Sequence, residues 1–204
     1  MVTDPSVGVL AFQGDVQRHL QLLAGMNRTA VAVRTPQDLE GVAALIIPGG
    51  ESTTIGMLSE RFGLLGEIRR RVAAGMPVLG TCAGAILLAR DIEGSDQPRV
   101  GVMDIGVRRN AYGRQIESFE ADLELTRSAS ATEPPRTIRA VFIRAPIITR
   151  VGEAVEVLAR FEDDPVVIRQ ANMLAATFHP ELTGERAVHR ILLEAMDTTG
   201  HGSV

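Results

Sequence analysis

The sequence predicts a three-layer α/β fold: a mostly parallel central sheet with helices on both faces and an antiparallel extension. Three observations predict it. Short apolar runs alternate with segments of helical period through about residue 90, as in strand–helix–strand units of a parallel sheet. After about residue 98 the period changes to two, the pattern of antiparallel strands. No linker-like stretch divides the 204 residues, so residues 1–204 are expected to form a single domain, with a disordered tail from about 198.

Residues 7–12 read as a buried strand that stops at Gln13-Gly14. Residues 15–26 have helical spacing, with Val16, Leu20 and Leu23 on one face. A strand over 29–34, a helical turn over 36–40 and an apolar strand over 43–47 follow, the last stopped by Pro48-Gly49-Gly50. Helices are expected over 53–62 and 65–74, the second punctuated by Gly75 and Pro77. The strand at 78–80 runs straight into Thr81-Cys82-Ala83-Gly84 and a helix over 85–89. Antiparallel strands are expected over 100–107 and 118–126, an exposed loop over 127–137, and further strands over 139–144, 155–161, 166–169 and 173–178. A closing helix spans 184–196.

Composition narrows the function classes. Hydrophobic residues make up 45% and charged residues 23%, the balance of an ordinary globular protein. The net charge of −4, with no long run of one sign, argues against a nucleic-acid partner. Arg69, Arg70 and Arg71 read as a solvated helix face. No apolar stretch is long enough for a membrane span, and residues 1–6 lack the features of a secretory signal, so a cytoplasmic protein is expected. The single cysteine, Cys82, rules out an intrachain disulfide. No cluster has metal-ligand spacing, and no metal or cofactor is expected.

Cys82 is the most informative residue. Gly80-Thr81-Cys82-Ala83-Gly84 is a G-x-C-x-G turn between strand and helix, the cysteine form of a nucleophile elbow. The amides opening the following helix favour a thiolate, and the Ala83 N–H is placed to bind an oxyanion. The competing reading, a buried structural cysteine, does not account for the small residues on both sides of it. Of the four histidines, His201 lies in the tail, and His19 and His189 fall in helical segments and are expected at the surface. His179 ends the last strand, in His179-Pro180-Glu181. Parallel strands bring their carboxyl ends to one edge, which puts His179 beside Cys82. Glu181 then reaches the other ring nitrogen and fixes the tautomer. The Gly49-Gly50 loop lacks the lysine of a nucleotide-binding loop, and fits a second oxyanion donor opposite Cys82.

Taken together, the P-G-G, G-T-C-A-G and F-H-P-E elements resemble the class I (triad) glutamine amidotransferases, whose fold is flavodoxin-like. Longer strings narrow the resemblance: GVLAFQG at 8–14, PGGESTT at 48–54, TCAGAILLA at 81–89, RNAYGRQIESFE at 109–120, FIRAP at 142–146 and FHPELT at 178–183. This set resembles the glutaminase subunits of pyridoxal 5′-phosphate synthase over nearly the whole chain. There are two departures: Thr177 stands where that family has Ser, and Ile147 where it usually has His.

The resemblance implies hydrolysis of L-glutamine to L-glutamate and ammonia through a thioester. Cys82 would be nucleophile, His179 base and Glu181 its orienting partner. The Gly50 and Ala83 amides would form the oxyanion hole. Gly49, Gly50, Glu51, Arg109, Ile143 and Arg144 would hold glutamine, with an arginine on its carboxylate and Glu51 on its ammonium. The resemblance also implies a partner: a (β/α)₈-barrel synthase subunit that uses the ammonia for vitamin B6 synthesis. The alternatives are a glutaminase subunit of another amidotransferase such as imidazole glycerol phosphate synthase, a related cysteine hydrolase or protease, and a non-catalytic regulator on the same fold. The RNAYGRQIESFE string argues against the first, His-x-Glu at the last strand against the second, and retention of Cys, His and Glu against the third.

Overall fold

The structure, a computed structural model, describes residues 6–109, 118–126 and 135–200. The RNAYGRQIESFE string falls mostly outside the described residues, as do most of the expected loop at 127–137, His201 and the last residues of the tail.

A seven-stranded sheet forms the centre. Its strands are β1 (Ser6–Leu10), β2 (Ala30–Val33), β3 (Val42–Ile47), β4 (Val78–Thr81), β10 (Glu156–Phe161), β11 (Asp164–Gln170) and β12 (Met173–Ala176), in the spatial order β10-β11-β12-β4-β3-β1-β2. From β12 to β2 every pairing is parallel; β11 pairs antiparallel with β12 and with β10. The parallel part carries α1 (Val16–Ala24), α2 (Ser52–Arg61), α3 (Leu64–Ala73), α4 (Ala83–Leu88), α5 (Pro180–Thr183) and α6 (Ala187–Gly200). A sheet of β5 (Ala89–Ile92), β6 (Met103–Arg108) and β9 (Ile147–Val151), and a hairpin of β7 (Ser118–Leu125) and β8 (Arg136–Ile143), make up the extension.

Alternation along the strands sends side chains into two cores. Leu45 and Ile47 of β3 join the core under α2, α3 and α4, together with Leu64, Ile68 and Leu87. Ala44 and Ile46 join the opposite core, with Leu23 of α1 and Val188, Leu192 and Met196 of α6. Aromatics are scarce, and their main cluster has one purpose. Phe178, just past β12, packs against Phe142 of β8 with ring centroids 5.5 Å apart. Beside that joint the His179 N–H donates to the Val141 carbonyl at 2.8 Å. The hairpin is thereby fastened to the end of the last parallel strand.

Several expectations are corrected. β5 and β9 were not anticipated, and β5 pairs parallel with β6, although this stretch was read as antiparallel; the antiparallel partner of β6 is β9. The closing helix begins at Ala187 and extends to Gly200. Ile147, the departure from the family string, pairs with Arg108 at the start of β9, an ordinary strand position. Among the described residues no helix is long and apolar enough to cross a membrane.

Candidate active site

Four segments meet at the carboxyl edge of the parallel strands: those after β1, β3, β4 and β12. Together with residues after β6 and β8 they enclose a cleft of about 410 Å³, lined among others by Gly49, Gly50, Glu51, Cys82, Ala83, Arg109, Ile143, Arg144 and His179. Every expected site residue is therefore at the cleft wall except Glu181, which lies buried behind His179.

The turn at Cys82 is sharp and strained. Cys82 has φ +48° and ψ −105°, outside the regions that L-residues favour. Its N–H is held by the Ala176 carbonyl at 2.8 Å, and its carbonyl accepts from Ala85 at 3.1 Å. Small neighbours are obligatory here. A Cβ on Gly84 would strike the Ile47 carbonyl, and one on Gly80 would meet the Gly84 backbone. The sulfur lies 3.8 Å from the Ile143 carbonyl, only 7% of the residue being exposed. Ala83 is the first residue of α4, so its N–H has no intrahelical acceptor and is available to an oxyanion.

His179 stands between the sulfur and Glu181. Its Nδ1 is 2.7 Å from Glu181 Oε1, which leaves Nε2 as the free ring nitrogen. The one-turn helix α5, opened by Pro180, folds Glu181 back onto the ring. From below, Gly49 supports the imidazole; a Cβ there would strike His179 Cε1. Burial depresses the imidazolium, but the Cys82 sulfur and the Glu181 carboxylate outweigh it, and the His179 pKa is pushed up to about 10. The arrangement favours a protonated His179 ring beside the sulfur.

On the other wall, Gly50 has φ +137°, a conformation that glycine adopts readily. The Glu51 N–H donates to Gln13 Oε1 at 3.1 Å. The Glu51 carboxylate caps α2, accepting from the Thr54 N–H at 2.8 Å, with Arg109 Nη2 at 3.7 Å. Partial burial raises the Glu51 pKa, but the Thr54 and Thr53 amides, the Thr54 hydroxyl and Arg109 more than offset this and hold it below the usual carboxylate range. Arg109 donates to Thr53 Oγ1 at 2.9 Å and to Gln97 Oε1. Gln97, 7% exposed, also accepts from Ser52 and Thr53, and so ties the β5–β6 connection to the head of α2.

Gln97 carried no signal in the sequence, and Gln13 entered only as part of the GVLAFQG string, because both act through tertiary contacts. His19 and His189 are a correction. Both were expected at the surface, and both are fully buried, with His19 Nδ1 3.0 Å from His189 Nε2. A signal for His19 existed: it lies three residues after Val16 and four before Leu23, on the face that the helical period already marked as apolar.

The sheet order and the placement of the glycine loop and elbow at its edge define the class, a glutamine amidotransferase fold of the class I type. More particularly, the chain belongs to the SNO glutamine amidotransferase family, whose model matches residues 9–198. It is 51% identical over 203 residues to the pyridoxal 5′-phosphate synthase subunit PdxT of Frankia casuarinae, covering 98% of this chain and 100% of that protein. With the subunit of the same name from Pelotomaculum thermopropionicum it shares 55% identity over 188 residues, 92% of this chain and 93% of the relative. A crystal structure of a glutamine amidotransferase superposes with a TM-score of 0.87 at 50% identity, covering 94% of this chain and 98% of that one. The structure of PurLQS from Thermotoga maritima shares the fold, with a TM-score of 0.70 at 17% identity over 94% of this chain and 98% of the other.

Proposed function

We propose that this chain is the glutaminase subunit of a pyridoxal 5′-phosphate synthase: it hydrolyses L-glutamine to L-glutamate and ammonia and hands the ammonia to a synthase subunit. The observation that carries the reading is the alignment of Cys82, His179 and Glu181 behind a cleft of amino-acid size. The names of the PdxT relatives support the synthase assignment.

Each step uses groups on this chain. His179 holds the proton of Cys82, and the thiolate attacks the carboxamide carbon of glutamine. Negative charge on the former carbonyl oxygen is received by the Ala83 N–H and, when its peptide faces the site, by the Gly50 N–H. The imidazolium returns the proton to the leaving nitrogen, and ammonia departs. Water, deprotonated by His179, then cleaves the γ-glutamyl thioester and releases glutamate. Glu181 keeps the ring in one tautomer throughout. Arg109 and Arg144, both at the cleft wall, meet the substrate carboxylate in this reading. The Glu51 side chain already caps α2 and pairs with Arg109, so it reaches the ammonium with its remaining acceptor capacity. We place the reaction in the cytoplasm, where a lone thiol stays reduced, and the ammonia acceptor on a barrel-shaped synthase subunit.

A diazo-ketone analogue of glutamine tests the reading. It should alkylate Cys82 alone, and Cys82→Ala should abolish glutamate release measured with a synthase subunit present. A label elsewhere, or turnover by Cys82→Ala, would overturn it.

A further inference from the structure

The polar chain that begins at the sulfur does not end at Glu181. Glu181 Oε2, the oxygen that does not face His179, lies 3.4 Å from His19 Nε2, and both side chains are wholly shut off from solvent. His19 Nδ1 in turn lies 3.0 Å from His189 Nε2. Beyond it, burial lowers the His189 pKa and the nearby Glu185 carbonyl offsets only part of this, while His189 Nδ1 has no hydrogen-bond partner of good geometry among the described residues. Three helices contribute: α5 brings Glu181, α1 brings His19 and α6 brings His189. These groups do not converge on a point that could hold a metal ion.

Proton counting gives the chain a direction. Two neutral imidazoles supply two N–H donors for three gaps: Glu181 to His19, His19 to His189, and His189 to the Glu185 carbonyl. Neither the Glu181–His19 gap nor the one at Glu185 is closed by a well-aligned hydrogen bond; of the three, only the His19–His189 contact is. A bare Nε2 lone pair 3.4 Å from the Glu181 carboxylate is repelled more strongly than a bare Nδ1 facing a neutral carbonyl, and this sets the direction. The protons then sit on Nε2 of both rings. His189 donates to His19 Nδ1, and His19 turns its own Nε2–H toward Glu181 Oε2.

We propose that His19 is a positioning residue for the glutaminase reaction, held in its Nε2–H tautomer by His189 and presenting that N–H to the far oxygen of Glu181 across 3.4 Å. The need for it is physical. A buried carboxylate oxygen that faces no N–H carries an uncompensated desolvation cost, and the carboxylate turns toward any other partner it can find. A Glu181 carboxylate turned out of place no longer orients the His179 ring or supports its positive charge, and the ring loses its place beside Cys82. An apolar residue of equal size at position 19 would preserve the packing of α1 and lose this effect.

The assignment rests on the glutaminase reading, and its test separates the two. In the unmodified chain labelled with ¹⁵N-histidine, two-bond ¹H–¹⁵N spectra at neutral pH should show His19 and His189 neutral, each protonated at Nε2. An Nδ1–H tautomer or an imidazolium at His19 would overturn the proposal, whatever the activity. With a synthase subunit present, His19→Leu should lower kcat by roughly 10–100-fold, the scale for groups acting through a first-contact residue, with KM for glutamine unchanged. It should also slow the alkylation of Cys82 by iodoacetamide at neutral pH. His19→Gln, which keeps an N–H donor near Nε2, should restore most of both. Native kcat in His19→Leu, or equal losses in the two variants, would reduce His19 to a packing residue. Should His19→Leu fail to fold, the tautomer spectra still decide. Failure of the glutaminase reading itself shows up separately, as turnover by Cys82→Ala.

Discussion

At the scale of single residues, the geometry at His179 predicts shared rather than additive effects. His179→Asn should lower turnover by about 10³-fold or more, as removal of a triad base does. Glu181→Gln should cost less, because it orients and charges the ring without touching substrate. The double variant should be little worse than His179→Asn alone, because Glu181 acts only through that ring; multiplicative losses in steady-state kinetics would break the unit apart. The buried pair predicts an acid sensitivity of opposite origin. His189 has its pKa lowered to about 4 by burial, and burial also drives His19 well below its ordinary value, helped by the neighbouring His189 and His179. Between the unfolded value near 6.5 and those lowered values, the unfolded chain binds protons that the folded chain refuses. Stability therefore falls as pH falls through this window, by up to about 1.4 kcal/mol per pH unit for each such histidine. His179, with its pKa raised to about 10, is charged in both states below 6.5 and adds no slope there. Urea midpoints measured from pH 7 to pH 4.5 should flatten in His189→Gln relative to the native chain. Cys82 and His179 were legible because each follows a strand end in a recognisable string, and Glu181 because it lies two residues beyond His179 in the same string. The burial of His19 was legible in the helical period, but its pairing with His189 was not, since nothing local announces that rings on two distant helices meet.

At the scale of elements, two glycines separate folding from function. A Cβ at Gly84 would strike backbone, the Ile47 carbonyl, where strand and helix meet. Neither partner can turn aside, so Gly84→Ala should destabilise the fold by about 1–3 kcal/mol, the usual cost of overpacking. At Gly49 the Cβ would strike only the His179 ring, the end of a side chain that can rotate. Gly49→Ala should therefore melt close to the native temperature and yet lose most of its turnover, because the displaced ring no longer spans sulfur and carboxylate. Thermal melts beside glutaminase rates distinguish the two; equal melting of both variants would contradict this account of the elbow. The main helices and parallel strands were readable from period and punctuation to within a few residues. β5 was hidden because Ala89–Ile92 follows α4 with no breaker between them. α5 was hidden because four residues are too few to display a period.

At the scale of the whole molecule, the order of strands at the sheet edge was legible in outline, because parallel strands leave little choice about where their loops gather. What the sequence could not supply was the use made of the extension: the hairpin's Ile143 carbonyl faces the sulfur, while Gln97 reaches Arg109 from the β5–β6 connection. The cleft is therefore closed partly by elements outside the parallel core, and a partner that presses on them has a route to the chemistry. Free ammonia is mostly protonated at neutral pH and useless as a nucleophile, so hydrolysis without a docked acceptor wastes glutamine. The Gly49–Gly50 peptide is a suitable switch: Gly50 sits at φ +137°, and glycine tolerates the backbone states on either side of a peptide flip. A partner that binds one of those states more tightly shifts the population toward it by its difference in affinity, and by no more than that. The isolated chain should accordingly be a poor glutaminase, activated when a synthase subunit is titrated in. Ammonia should then pass through the complex without mixing with bulk water. Glutamine labelled with ¹⁵N at the amide, supplied with an excess of unlabelled ammonium, should still give labelled pyridoxal phosphate. Full activity without the partner, or a label diluted to the composition of the bulk ammonium, would reject activation by docking and transfer inside the complex respectively.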